Sequence, residues 1–202
     1  MAKVCIIDYG SGNVKSVYNL ISFLGYNVCI SNDADVIKGS SHLILPGVGS
    51  FKSAMQKIHN NVPLKVLKKE VIEHKKPFLG ICVGMQILAE VGFEYGEHRG
   101  LGWIDGTVGR LDLKQNPLPH IGWNNILIKK QSKIVNNLEH INDFYFVHSY
   151  VFRTNESFQI ADTEYEIKFP SIIQKDNIYG VQFHPEKSQR AGQMLFKNFI
   201  NI

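Results

Sequence analysis

Cysteine is scarce. The 202 residues hold only Cys5, Cys29 and Cys82, an odd number, widely spread and without a Cys-x-x-Cys pair. That argues against a disulfide framework or a zinc site and fits a reducing, cytoplasmic setting. Long apolar runs are missing too. Stretches such as Phe78–Val83 fall far short of the roughly 20 residues a membrane span needs, so no membrane association is expected. The opening Met1-Ala2-Lys3-Val4 lacks the basic, apolar and cleavage segments of a secretory signal, and none is expected. Positive charge is not concentrated. The net charge is +4, but Lys68-Lys69, Lys75-Lys76 and Lys129-Lys130 are small groups mixed with carboxylates. They read as solvated faces, not as a nucleic-acid surface. His42, His59, His74, His98, His120, His140 and His148 show no His-Glu-x-x-His spacing, so no metal is expected. Gly10-Ser11-Gly12 lacks the third glycine of a dinucleotide fingerprint and the lysine of a P-loop, which leaves no reason to expect a cofactor.

What is present is an ordinary globular mixture, 44% hydrophobic and 20% charged, able to build a sizeable core. The first half alternates strand and helix signals. Val4–Ile7, Asn27–Ile30, His42–Leu45 and Pro77–Ile81 read as strands. Val14, Val17, Tyr18, Ile21 and Leu24 recur at helical spacing before Gly25, and further helices are expected over about Pro63–His74 and Met85–Val91. Such alternation implies an α/β fold with an open, mostly parallel sheet flanked by helices. The second half reads as strands over Trp103–Leu113, Asn124–Ile128, Phe144–Phe152, Phe158–Ala161, Ser171–Gln174 and Tyr179–Phe183, then a helix over about Ser188–Ile200. These strands are expected to extend the sheet in antiparallel fashion. No linker or repeat divides the chain, so one domain over 1–202 is expected.

Gly80-Ile81-Cys82-Val83-Gly84-Met85-Gln86 is the sharpest local signal. It sets a cysteine at a strand end, with a glycine two positions away on each side and a helix behind. This is the nucleophile-elbow pattern with Cys in place of Ser. Free N–H groups at the following helix start favour a thiolate and can stabilise an oxyanion. The plainer alternative is a buried cysteine that only packs. In Gly180-Val181-Gln182-Phe183-His184-Pro185-Glu186, His184 can serve as a general base and Glu186 can fix its tautomer. The alternative is a His and Glu that merely ride at a strand exit. Pro46-Gly47-Val48-Gly49 follows a strand, and its glycines would let a peptide at Val48 turn toward a reacting carbonyl. It also fits an ordinary strand-to-helix turn. His148, inside an aromatic strand, reads as structural. Trp123 fits core or interface equally.

Together these segments resemble the class I glutamine amidotransferases, the family with a Cys-His-Glu triad. The likeness runs nearly full length. It includes Asp8-Tyr9-Gly10-Ser11-Gly12-Asn13, Leu45–Gly49, the cysteine elbow, Gly100-Leu101-Gly102, Pro119–Asn124, Phe146–Tyr150 and His184–Ser188. The resemblance implies a glutaminase. Cys82 would attack the glutamine amide, His184 would relay the proton and Glu186 would orient it. Backbone at Gly47, Val48 and Val83 would cradle the oxyanion. Gln86 and Glu94 match positions that hold the substrate, and backbone at Ser149 and Tyr150 lines the other side. Within the family the likeness is to members that form a heterodimer with a separate (β/α)₈-barrel cyclase. Their ammonia passes through the barrel to build an imidazole ring. Asn13, Trp123, Tyr145 and Lys187 match partner-facing positions. Two departures stand out: Ile104-Asp105-Gly106, where the family has Ile-Pro-Gly, and the short segment Tyr95-Gly96-Glu97-His98-Arg99 after Glu94. A paralogue that feeds amidino-sugar synthesis for surface glycans, and a non-catalytic partner-binding subunit, stay open alternatives.

Overall fold

A computed structural model describes residues 3–202. Met1 and Ala2, the start of the segment read for a leader, lie outside the described residues. The chain opens with β1 (Lys3–Ile7), α1 (Val14–Phe23), β2 (Asn27–Ser31), α2 (Ala34–Gly39) and β3 (His42–Gly47). Next come α3 (Phe51–Asn61), α4 (Leu64–Lys68), a turn of π-helix over Lys69–Glu73, β4 (Phe78–Cys82) and α5 (Val83–Gln86). Every residue of β3 and β4 is buried, as expected of parallel strands covered on both faces. Helix α3 shows why amphipathic segments fold here. Phe51, Ala54, Met55 and Ile58 are buried at spacings of three and four, and the Ser50 hydroxyl accepts from the Ser53 N–H to cap the helix.

The second half contributes β5 (Val91–Gly92), β6 (His98–Arg99), β7 (Thr107–Arg110), β8 (His120–Asn125) and β9 (Leu127–Ile128). It continues with β10 (Asp143–His148), β11 (Tyr150–Arg153), β12 (Gln159–Tyr165), β13 (Ile167–Lys175), β14 (Ile178–Val181) and α6 (Gln189–Ile200). The main sheet has the order β2-β1-β3-β4-β14-β13-β12-β9. Its first five strands run parallel, and β13, β12 and β9 add an antiparallel wing. Only part of the second half extends this sheet. β8 and β10 form a two-stranded ribbon, and β11, β7, β5 and β6 form a small sheet of their own. The stretch expected as one strand, Phe144–Phe152, breaks at Ser149 because its two halves join different sheets.

Two expected elements are shorter. The helix expected to Val91 ends at Gln86. The reason lies in the loop 100–104, whose N–H groups take up carbonyls the helix would have used. Leu101 donates to Ile87, Trp103 and Ile104 to Leu88, Gly102 to Ala89 and Gly100 to Glu90. The strand expected over Trp103–Leu113 shrinks to β7, its start lost because the N–H groups of Trp103 and Ile104 are taken by the Leu88 carbonyl. Strand progression reverses between β1 and β3, which places a crevice at the C-terminal ends of the strands. Tyr9–Asn13, Pro46–Gly49, Cys82 and His184 all emerge there.

Candidate active site

Cys82 ends β4 with φ 55° and ψ −112°, a conformation that costs a non-glycine residue backbone strain. The surrounding chain holds it by close packing. A Cβ on Gly84 would collide with the Leu45 carbonyl, and one on Gly80 would collide with the Gly84 carbonyl. Both positions therefore need glycine for the approach of neighbouring backbone. Strand pairing sets Gly47 directly beside Cys82. The sulfur opens into a cavity of about 310 Å³ lined by Val48, Val83, Gln86, Glu94, Ser149, Tyr150 and His184, among others.

His184 lies three residues past the end of β14, which pairs with β4 at Val181 and Ile81. Its Nδ1 is 2.8 Å from Glu186 Oε1. The same oxygen accepts from Asn13 Nδ2 at 2.9 Å, while Glu186 Oε2 is buried without a partner among the described residues. Burial alone would lower the His184 imidazole. Hydrogen bonding and charge from Cys82 and Glu186 overcome it and push it up to about 10. Burial likewise pulls the Glu186 carboxyl upward, but the imidazole and then Asn13 hold it below the usual carboxylate range. A thiol, an imidazole and a carboxylate in this order suit nucleophilic attack on an acyl carbon.

The wall opposite is built by donors that meet at one carbonyl. Tyr150 O accepts from Gln86 Nε2 at 2.9 Å and faces His148 Nδ1 at 3.1 Å. A carbonyl only accepts, so His148 carries its proton on Nδ1 and its Nε2 is an acceptor. His120 Nδ1 donates to that Nε2 at 3.1 Å, and Asn124 Nδ2 reaches His120 Nε2 at 3.3 Å. Both rings are thereby neutral. Burial pushes His120 down to about 4. Burial, then the charge of His120, pushes His148 down to about 3, with His184 a further contributor. So His148, read from sequence as structural only, lines the cavity and sets its wall.

These shifts make stability depend on pH at both ends. Below about pH 6.5 the unfolded chain binds protons at His120 and His148 that the folded chain refuses. Stability should fall from pH 6.5 toward 4, by up to about 2 kcal/mol per histidine at pH 5. His184 is raised instead. Its contribution is complete below about 6.5 and is lost as pH climbs through about 10. Urea midpoints at pH 5, 7 and 10 check both limbs. His120→Phe should flatten the acid limb, and an unchanged acid limb would refute the assignment.

Other expected site residues have commitments of their own. Val48 is half-exposed, and its carbonyl accepts from Ser11 Oγ at 3.1 Å. Glu94 reaches the cavity, but its Oε2 accepts from the Phe51 N–H at 2.7 Å and helps to cap α3. The Ser149 carbonyl is taken by the Leu111 N–H. Asn13, expected to face a partner, turns its amide inward to Glu186. Trp123, Tyr145 and Lys187 do form one patch. Trp123 and Tyr145 pair across the ribbon with ring centroids 6.2 Å apart, and Lys187 Nζ lies 5.5 Å over the Tyr145 ring.

The family model for glutamine amidotransferase class-I matches residues 5–202. The chain belongs to that family. The imidazole glycerol phosphate synthase subunit HisH of Pelagibacter ubique is 42% identical over 99% of this amidotransferase and 100% of its own length. Its counterpart from Caldanaerobacter subterraneus subsp. tengcongensis is 45% identical over 96% and 95%. The solved structure of a glutamine amidotransferase from Thermotoga maritima matches with a TM-score of 0.62 at 17% identity. The match covers 99% of the present chain and 83% of the other, and at that identity the likeness speaks for the fold alone. Sequence reasoning passed over Gln182, Ser11 and the Asn13–Glu186 contact. For Gln182 a signal existed: it stands two residues before His184 in the same short motif.

Proposed function

We propose that this chain is the glutaminase subunit of an imidazole glycerol phosphate synthase in histidine biosynthesis. The observation that carries the chemistry is the Glu186-oriented His184 beside the strained Cys82 in one cavity. His184 holds the proton taken from the thiol, and Cys82 Sγ bonds as a thiolate to the amide carbon of glutamine. The N–H groups of Val83 and Val48 stabilise the oxyanion, with Gly47 giving the strand room to turn. His184 then returns the proton to the leaving ammonia. Water attacks the γ-glutamyl thioester, releases glutamate and restores the thiol. The Nε2 of Gln86 is already spent on Tyr150 and Gln182, which leaves its Oε1 to accept from substrate. Glu94 Oε1 faces the substrate's α-amino group, and Ser149 and Tyr150 supply backbone along the far wall. The span 1–202 is one amidotransferase domain, and the setting is cytoplasmic.

The ammonia acceptor belongs to a separate (β/α)₈-barrel cyclase, bound as a heterodimer, which makes imidazole glycerol phosphate and AICAR. Asn13, Trp123, Tyr145 and Lys187 mark the docking side. Backbone at Tyr145 supports transmission to the site. Its carbonyl accepts from the His184 N–H, and its N–H donates to Ser188 Oγ, which in turn donates to the His184 carbonyl. The Gly47–Val48 peptide supplies the switch. In one orientation it offers the Gly47 carbonyl, in the other the Val48 N–H, and one such donor is worth about 2.7–4 kcal/mol. Docking biases that equilibrium by differential contacts. Glutaminase kinetics with and without the cyclase and its acceptor test this. The isolated chain should turn glutamine over about 100-fold or more slowly than the full complex. Equal rates would sink the coupling, and a partner that aminates an amidino-sugar precursor would overturn the pathway.

A further inference from the structure

Gln182 is fully buried between Gln86 and Cys82. Parallel pairing of Val181 with Ile81 brings the residues that follow them, Gln182 just past β14 and Cys82 at the end of β4, to the same level. Gln182 Nε2 lies 3.8 Å from Cys82 Sγ, and Gln182 Oε1 lies 3.2 Å from Gln86 Nε2. A side-chain amide can point either way, so its direction must be argued from its neighbours. Here the neighbours settle it. The Tyr150 carbonyl can only accept, so the Gln86 nitrogen must face it. The other hydrogen of that nitrogen points to Gln182, whose facing atom must then be oxygen. The Gln182 nitrogen is left facing the sulfur. His148 holds the Tyr150 carbonyl from the other side, so the chain starts from a fixed point.

We infer that Gln182 is a catalytic residue, donating an N–H to the Cys82 thiolate, and that Gln86 aims this donor. The inference rests on Cys82 being the nucleophile. A hydrogen bond to an ionised sulfur favours the ionised form, and Gln182 supplies it without bearing charge itself. It leaves His184 free to shuttle the proton. No substrate contact is required of Gln182, which sets it apart from Gln86.

Iodoacetamide labelling of the folded chain at pH 7, resolved cysteine by cysteine by mass spectrometry, tests this without glutamine. Gln182→Met keeps the length and removes the donor. Loss of one hydrogen bond to a charged group cuts the thiolate share about tenfold. The more basic thiolate is more nucleophilic, which returns part of that. Cys82 labelling should therefore slow about threefold, with Cys29 labelling unchanged. Gln86→Met should also slow it, although residue 86 is aimed at Gln182 and not at the sulfur, because the freed amide is no longer held with its N–H on the thiolate. The double variant should be no slower than Gln182→Met alone. Unchanged Cys82 labelling in folded Gln182→Met, verified by its urea midpoint, overturns the donor. Unchanged labelling in Gln86→Met overturns the aiming. Glutaminase activity surviving in Cys82→Ala would instead remove the nucleophile on which both stand.

Discussion

Cys82→Ala is expected to abolish glutamine hydrolysis and leave the fold standing. The scale is roughly a millionfold in kcat, as when a hydrolase loses its nucleophile. The substitution deletes one sulfur and keeps a Cβ in the same positive-φ conformation, so the elbow has no new clash to absorb. Cys82→Ser should be nearly as inactive, because a hydroxyl at neutral pH is a far weaker nucleophile. Ammonia release by the purified variants measures both. Selective alkylation gives a second check. Burial and then the neighbouring Cys29 push the Cys5 thiol up to about 12, so Cys5 should resist the reagent. Cys29, on β2, is only partly buried and should label slowly. Equal labelling of all three sulfurs would contradict the elbow.

His184→Ala should cost about 100- to 10,000-fold in turnover, the usual worth of a positioned proton relay. Glu186→Gln should cost less, for a reason visible in the bonding. Both the imidazole and Asn13 meet Oε1. A glutamine can keep that oxygen in place and put its nitrogen where the unpartnered Oε2 stands. Orientation survives and only the charge is lost. The imidazolium loses the support of that charge, so the alkaline limb of stability should also move to lower pH. Steady-state kinetics on both variants decides the order. A Glu186→Gln enzyme slower than His184→Ala would mean that the carboxylate does more than orient.

The parallel half of the fold was legible because its buried strands are short apolar runs, Val4–Ile7 and His42–Leu45 among them. Cys82 and His184 stood out as candidates because a glycine-flanked cysteine and a histidine at a strand exit carry local chemistry in their spacing, and the structure brings both to one cavity. Helix α3 escaped notice. Its apolar stripe is narrow and set among Lys52, Ser53, Gln56, Lys57 and His59, so its burial depends on the sheet it packs against. The helix after Cys82 was overdrawn for the opposite reason. Ile87, Leu88 and Ala89 are apolar all round, yet a distant loop claims their carbonyls. Amide direction at Gln182 and the double use of Glu186 Oε1 arise from contacts across about 100 and 173 positions of chain. No local pattern can encode them.

The β8–β10 ribbon has an optical consequence. The chain holds two tryptophans, and they are placed very differently. Trp103 is buried, edge-on to Phe78 at 5.2 Å, whereas Trp123 is half-exposed on the ribbon. Near-surface indole emission therefore comes from one side chain, on the same ribbon whose backbone at Tyr145 is bonded to His184. The molecule carries a built-in fluorophore on that face, and a blue shift on titration reports dehydration of Trp123 without any label.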